Sequence, residues 1–208
     1  MKNSMIKIID MGLGNINSIS KCIQFLNYEF QIINNPSKLN DDCKIIFPGV
    51  GSFNHAMKVL NNDGWTESLK HEVIEKKKLF LGICLGMQLI ATKGYENDIE
   101  CNGLNFINAE VKDLRKIGCK LKVPHTGWNR INKNCQNNIL KNLSHSPDFY
   151  FNHSCVLVPE NKDVVVSSTT HDVEFASIVN YENIYGMQFH PEKSSEAGKL
   201  LLQNFLSL

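Results

Sequence analysis

In the first half of the chain the apolar positions fall into short, nearly continuous runs separated by stretches of helical period. That pattern predicts parallel strands buried on both faces between crossover helices. Lys7-Ile8-Ile9-Asp10 reads as the first strand, Gly12-Leu13-Gly14-Asn15 as a loop, and about Ser18 to Asn27 as a helix. A second strand is expected from about Phe30 to Asn34 and a third over Cys43-Lys44-Ile45-Ile46-Phe47, stopped by Pro48-Gly49-Val50-Gly51. Residues 54 to 78 offer two helices broken near Asp63-Gly64, and Leu79 to Ile83 forms the next strand. From about Gly103 the texture changes. Phe149-Tyr150-Phe151, Val164-Val165-Val166 and Phe175-Ala176-Ser177-Ile178-Val179 lie between turns of Asn, Gly and Pro, which predicts antiparallel or mixed strands. Ser195 to Leu206 closes the chain as an amphipathic helix. The expected fold is α/β: a mostly parallel open sheet covered by helices on both faces, with an additional antiparallel or mixed sheet region in the C-terminal half.

Composition narrows the partners. A chain of 208 residues can bury a developed core as one domain, and a single domain over residues 1–208 is expected. Lys plus Arg number 22 against 21 Asp plus Glu, with no long block of like charge, so neither nucleic acid nor an anionic membrane is expected as partner. No apolar stretch approaches the roughly 20 residues that span a bilayer, and Met1-Lys2-Asn3-Ser4-Met5-Ile6 lacks the apolar region of a signal peptide. A soluble, cytoplasmic location is expected. Seven cysteines are scattered without C-x-x-C pairs, which favours neither a disulfide framework nor a zinc site, and no metal or cofactor is expected. Gly12-Leu13-Gly14 opens like a dinucleotide loop, but the third glycine position is Asn17, so a turn or contact loop is the better reading.

The chemistry concentrates at two places. Leu79-Phe80-Leu81-Gly82-Ile83-Cys84-Leu85-Gly86-Met87-Gln88 is an apolar strand ending in Gly-x-Cys-x-Gly and running into an apolar helix. A sharp strand-to-helix turn lifts the central side chain off the sheet, and the flanking glycines tolerate backbone angles and close approaches that a Cβ would forbid. A sulfur at a helix N-terminus is favoured as thiolate. Far along the chain, Gln188-Phe189-His190-Pro191-Glu192 places His190 and Glu192 two apart in an extended segment, where period two puts both on one face. Glu192 can then fix the tautomer of His190 and leave its other nitrogen to face the Cys84 sulfur, giving a Cys-His-Glu triad in roles.

Pro48-Gly49-Val50-Gly51-Ser52-Phe53, Gly82-Ile83-Cys84-Leu85-Gly86-Met87-Gln88, Val123-Pro124-His125-Thr126-Gly127-Trp128-Asn129 and Gln188-Phe189-His190-Pro191-Glu192-Lys193-Ser194 together resemble the class I (triad) glutamine amidotransferases. More narrowly, they resemble the glutaminase subunits of imidazole glycerol phosphate synthase, across almost the whole chain. The resemblance implies that Cys84 attacks the glutamine carboxamide, His190 handles the protons and Glu192 supports His190. It implies Val50 and Leu85 as backbone oxyanion donors, with a Val50 peptide able to reorient when a partner's substrate binds. It assigns glutamine binding to Gly51, Gln88, Glu96 and the backbone of Ser154 and Cys155, where Cys155 replaces the usual aromatic residue. It also implies a heterodimer with a separate (β/α)8-barrel synthase subunit that receives the ammonia, contacted through Asn15, Trp128, Tyr150 and Lys193. Two customers remain open: the cyclase of histidine biosynthesis, or a barrel-type synthase that aminates a nucleotide-activated or surface-glycan sugar.

Overall fold

The computed structural model of the chain describes residues 5–39, 42–96 and 98–208; the first four residues of the N-terminal segment lie outside them. The first half runs β1 (Met5–Ile9), α1 (Ile16–Phe25), β2 (Phe30–Ile33), β3 (Cys43–Gly49), α2 (Phe53–Asn62), α3 (Trp65–Leu69), β4 (Phe80–Cys84) and α4 (Leu85–Leu89). Then follow β5 (Ala91–Glu96), β6 (Ile99–Asn102), β7 (Ile107–Asp113), β8 (His125–Arg130), β9 (Asn132–Lys133), β10 (Asp148–His153) and β11 (Cys155–Pro159). The chain ends with β12 (Val165–His171), β13 (Val173–Tyr181), β14 (Ile184–Met187) and α5 (Ser195–Leu206).

An eight-stranded sheet in the order β2-β1-β3-β4-β14-β13-β12-β9 forms the centre. Its first five strands pair in parallel and the remaining pairs are antiparallel. The strands are apolar on both faces because each face has its own cover. Ile8, Ile46, Leu81 and Ile83 pack with Ile19 and Ile23 of α1 and with Leu202 and Phe205 of α5. Ile9, Ile45, Phe47 and Phe80 face Met57 and Leu60 of α2 and Trp65 and Leu69 of α3. The expected sheet with helices on both faces is therefore present, and the added region is a four-stranded sheet, β11-β7-β5-β6, plus a β8–β10 ribbon.

Boundaries differ where a cap or a tertiary pairing decides them. The first helix starts two residues earlier than its apolar spacing suggests, because the Asn15 side chain accepts from the Ser18 N–H at 3.3 Å and caps it. The break at Asp63-Gly64 is a left-handed Gly64 (φ +75°), after which α3 continues into a wider, π-helical turn over Lys70–Glu75. The change of texture expected at Gly103 begins at Ala91. There α4 ends after five residues and the chain turns directly into the β5–β6 hairpin. Among the described residues no helix is long and apolar enough to cross a membrane.

β4 pairs in parallel with β3 on one side, Gly49 opposite Cys84, and with β14 on the other, Met187 opposite Ile83. The carboxyl ends of these three strands consequently bring Val50, Cys84 and His190 to one edge, the place where open α/β sheets hold ligands.

Candidate active site

Cys84 ends β4 with φ 54° and ψ −107°, a conformation that a residue with a Cβ adopts only under constraint. The backbone strain expected at the flanking glycines thus falls on Cys84 itself. The glycines serve by close approach: a Cβ on Gly86 would lie 1.9 Å from the Phe47 carbonyl oxygen, and one on Gly82 would lie 2.4 Å from that of Gly86. The turn is packed against the β3 main chain at Phe47 and closed on its own carbonyl at Gly86. The sulfur lies 3.9 Å from the Asn152 carbonyl oxygen, and the Gln188 amide donates to the sulfur at 3.8 Å.

His190 and Glu192 meet through a route other than the one their spacing suggests. The segment is not extended; Pro191–Lys193 forms a single tight helical turn with proline at its first position, and the turn swings Glu192 back under the ring. Nδ1 of His190 lies 3.0 Å from Glu192 Oε1, and both side chains are buried. The other ring nitrogen, Nε2, is buried without a hydrogen-bond partner. Burial opposes charge on this imidazole, yet the Cys84 sulfur and the Glu192 carboxylate beside it outweigh burial and push its pKa up to about 10. The loop is fixed to β10, since the His190 N–H donates to the Tyr150 carbonyl at 2.9 Å and the Tyr150 N–H to Ser194 Oγ at 3.0 Å.

Beside Cys84 opens a cavity of ≈ 350 Å³ lined by Val50, Gly51, Leu85, Gln88, Glu96, Ser154 and Cys155, with Asn152 and His153 among its further walls. Every residue expected at a glutamine pocket lines it. Gln88 is buried and its amide nitrogen donates to the Cys155 carbonyl at 2.8 Å and to Gln188 Oε1 at 3.2 Å. Glu96 is a pocket wall rather than a solvated carboxylate: it accepts from the Ser52 hydroxyl and, at 3.2 Å, from the Asn54 N–H at the start of α2. Burial pushes the Cys155 thiol up to about 11, helped by Asp113 and Glu96 and opposed by Arg115, which keeps it protonated.

The two expected oxyanion donors differ. The Leu85 N–H opens α4, where first-turn amides have no intrahelical acceptor. The Val50 N–H is already committed: it donates to the Leu13 carbonyl at 2.6 Å. The residue after it, Gly51, has φ +110° with open space where a Cβ would be. The Gly12–Asn15 loop is thus a contact loop for the Val50 turn. Of the expected partner-facing residues, Trp128, Tyr150 and Lys193 form one cluster: the rings of Trp128 and Tyr150 are 6.3 Å apart and Lys193 Nζ lies 5.7 Å from the Tyr150 ring. Trp128 is 54% exposed. Asn15 stands at the start of α1, where its side-chain oxygen accepts from the Ser18 N–H.

Gln188 and Asn152, which touch the sulfur, are given no role by the sequence, where Gln188 is only the first residue of the His190 motif. The signal for Gln188 is a polar residue inside the buried run Met187-Gln188-Phe189; Asn152 acts through its carbonyl, which no side-chain pattern encodes.

The family profile described as Glutamine amidotransferase class-I matches residues 7–208. The chain is 40% identical over 202 residues to "Imidazole glycerol phosphate synthase subunit HisH 2" of Methanococcus maripaludis, covering 97% of this chain and 98% of that one. It is 40% identical over 206 residues to subunit HisH of Leptospira borgpetersenii (98% and 100% covered) and over 205 residues to subunit HisH 1 of Campylobacter jejuni (98% and 100%). Among solved structures, PurLQS from Thermotoga maritima superposes with a TM-score of 0.75 at 17% identity, covering 99% of this chain and 98% of that one. A glutamine amidotransferase from the same organism gives 0.66 at 16%, with 100% and 84% covered, so the fold is shared well beyond recognisable sequence. With sheet order, cysteine turn and full-length identity in agreement, the chain belongs to the class-I glutamine amidotransferase family and, within it, to the HisH group.

Proposed function

We propose that this chain, as one glutamine amidotransferase domain, is the glutaminase subunit of imidazole glycerol phosphate synthase, hydrolysing glutamine to glutamate and ammonia for a separate synthase subunit in histidine biosynthesis. The observation that carries the reading is the strained Cys84 beside a charged, Glu192-held His190, opening on a cavity walled by Gln88 and Glu96. Cys84 Sγ, its proton having passed to His190 Nε2, attacks the side-chain carbonyl carbon of glutamine, and the C–O π electron pair moves onto oxygen. His190, which carries its proton at neutral pH, gives the Nε2 proton to the departing nitrogen, so ammonia leaves and a glutamyl thioester remains. The now neutral Nε2 takes a proton from water, whose oxygen attacks the thioester; glutamate leaves and the sulfur is released. Proton transfer of this kind typically contributes about 10²–10⁴ in rate. Glu96 is placed to receive the substrate ammonium, and Gln88 with the Ser154–Cys155 edge to hold its remaining polar groups.

The oxyanion needs two donors, and at rest the Val50 N–H serves Leu13 instead. Turning that peptide toward the cavity, when a (β/α)8-barrel partner engages Trp128, Tyr150 and Lys193 and binds its own substrate, completes the hole. Ammonia released inside such an interface is kept from water. The seat of this chemistry is the cytoplasm.

Complementation of a histidine auxotroph lacking its glutaminase subunit tests the reading. Growth supports it. Failure, with the chain expressed and glutaminase activity appearing only with a sugar-aminating synthase, transfers it to the other customer. A glutaminase rate that ignores the partner's substrate would overturn the Val50 switch.

A further inference from the structure

β8 and β10 form an antiparallel ribbon in which side chains alternate between two faces. Trp128 and Tyr150 are opposite each other on the outer face; His125 and His153 are opposite each other on the inner one, and both are buried. The buried pair sits among rings: His125 stacks on His171 at 4.2 Å and on Phe151 at 4.9 Å, and Phe175 lies edge-on to both imidazoles. Apolar residues could fill the same space without the cost of dehydrating polar atoms, so the pair has to be explained by what it bonds.

Its bonds have one direction. His153 Nδ1 lies 3.0 Å from the Cys155 carbonyl, which can only accept, so Nδ1 carries the hydrogen. In a neutral ring Nε2 is then an acceptor, and the atom 3.1 Å away, His125 Nδ1, donates to it. His125 Nε2 is therefore also an acceptor, and Asn129 Nδ2 supplies the hydrogen at 3.2 Å. Asn129 cannot be turned round: Nδ2 also donates to the Thr170 carbonyl at 3.0 Å, and Oδ1 accepts from the Arg130 N–H at 2.8 Å. The chain then reaches the reacting atom. The Cys155 carbonyl accepts a second hydrogen from Gln88, Gln88 donates its other one to Gln188, and Gln188 donates to Cys84 Sγ.

We propose that His125 and His153 are positioning residues of the glutamine site: the one-way chain from Asn129 holds the Cys155 carbonyl, and with it the amide of Gln88, in the orientation the bound substrate requires. The role rests on the glutaminase reading. It ties the wall of the pocket to the ribbon whose outer face carries Trp128 and Tyr150. Neither histidine touches the reacting atoms; His153 acts through the carbonyl and His125 by fixing the tautomer of His153. A carbonyl left with one of its two donors, and a Gln88 free to turn, weaken binding of glutamine more than they alter the sulfur.

Two conservative variants separate this role from packing. His153→Asn keeps a donor near the place of Nδ1 for Cys155 and loses the partner of His125; His153→Gln keeps a partner for His125 and loses the donor to Cys155. The probe is the chloromethyl ketone analogue of glutamine, whose carbon forms a bond to Cys84 sulfur as chloride leaves, read on the Cys84 peptide by mass spectrometry. Iodoacetamide, which has no glutamine shape, is the control for the thiol. His153→Gln is expected to raise the half-saturating analogue concentration about tenfold and His153→Asn less than about threefold, with iodoacetamide rates at Cys84 within about twofold in both. His125→Phe raises it in the natural background and adds nothing to His153→Asn, because an asparagine amide has no tautomer to fix. Equal effects of the Asn and Gln variants, or an additive His125→Phe, overturn the proposal while leaving the glutaminase reading intact. A natural chain whose Cys84, with the synthase subunit and its substrate bound, is labelled by iodoacetamide but not by the analogue overturns the glutaminase reading, and the positioning role with it.

Discussion

Acidification should loosen this protein well before its carboxylates protonate. The perturbation is a step from about pH 7 to about pH 5. Burial drives the His125 pKa from 6.5 down to about 4, with repulsion from His171 adding to it. Burial likewise drives His153 to about 3, helped by His125, His171 and His190 and opposed by its bond to the Cys155 carbonyl. A histidine whose folded pKa is depressed takes up protons mainly in the unfolded chain, so stability falls as pH drops through 6.5 toward the folded value. Between about pH 7 and pH 5 each ring therefore removes about 2 kcal/mol. His190 has the opposite sign. Its pKa rises from 6.5 to about 10, so its contribution is complete below 6.5, is lost as pH climbs through 10, and returns about 1 kcal/mol over the same step. The net loss is about 3 kcal/mol, a large part of the roughly 5–15 kcal/mol that holds a typical domain together.

Paired carboxylates stay out of this window. Glu72 and Asp113 are held below their ordinary values of 4.5 and 3.8, Glu72 by Lys78 and Lys76 against burial and Asp113 by Arg115, so their contributions are lost only at lower pH. The assay is urea unfolding followed by tryptophan fluorescence at the two pH values, where the midpoint should fall by roughly 1 M. His153→Asn removes one titrating ring, and its loss over the same step should shrink to about 1 kcal/mol. A midpoint that holds or rises at the acid end, or NMR titration of either ring near its ordinary value in the folded chain, refutes the reasoning.

Four further outcomes are expected. Cys84→Ala abolishes glutamine-dependent turnover but leaves the complex able to use added ammonium; an intact complex that has lost both activities contradicts the division of labour. Glu192→Gln removes the charge 3.0 Å from His190 Nδ1, so the His190 pKa falls and kcat drops by about 10²–10³ while KM changes little, as steady-state kinetics would show. Gly86→Ala drives a methyl to 1.9 Å from the Phe47 carbonyl and should cost about 3 kcal/mol, or displace α4 enough to silence Cys84, measured by thermal unfolding and alkylation. Trp128→Ala, at a side chain 54% exposed, should leave the fold intact and weaken synthase binding by about 2 kcal/mol in titration calorimetry.

Where local chemistry decides the structure, the sequence told it plainly. Continuous apolar runs gave β1, β3 and β4 because those strands are buried on both faces, and the periodicity from Ser195 to Leu206 matches α5 residue for residue. Gly82 and Gly86 marked the cysteine turn because main-chain atoms lie where their side chains would be. What escaped was set by partners distant in sequence. The β5–β6 hairpin reads weakly because one face is open and its register comes from β7. Period two gave the right pairing of His190 with Glu192 for the wrong reason, since the proline-started turn brings them together. Asn152 and Leu13 contribute only carbonyls, and a carbonyl belongs to every residue alike.

Control of such a site can rest on the main chain alone. On the proposed reading the side-chain machinery is already assembled at rest: His190 is charged, Glu192 holds it, and Gln88 and Gln188 are oriented by bonds that leave them little freedom. What an oxyanion hole still lacks here is a main-chain donor, because the Val50 amide is bonded to Leu13. Loss of one such donor typically costs about 3 kcal/mol, or roughly a hundredfold in rate, so a glutaminase in this state should idle without wasting glutamine. Releasing the Val50 amide requires breaking one hydrogen bond, worth about 1 kcal/mol net, in a turn where Val50 is 43% exposed and Gly51 has no side chain to obstruct rotation. The barrier to activity is then larger than the barrier to activation. A partner that supplies even a few contacts to the exposed Val50 and Trp128 surfaces can exchange one for the other, and substitution of active-site side chains would not reveal the switch.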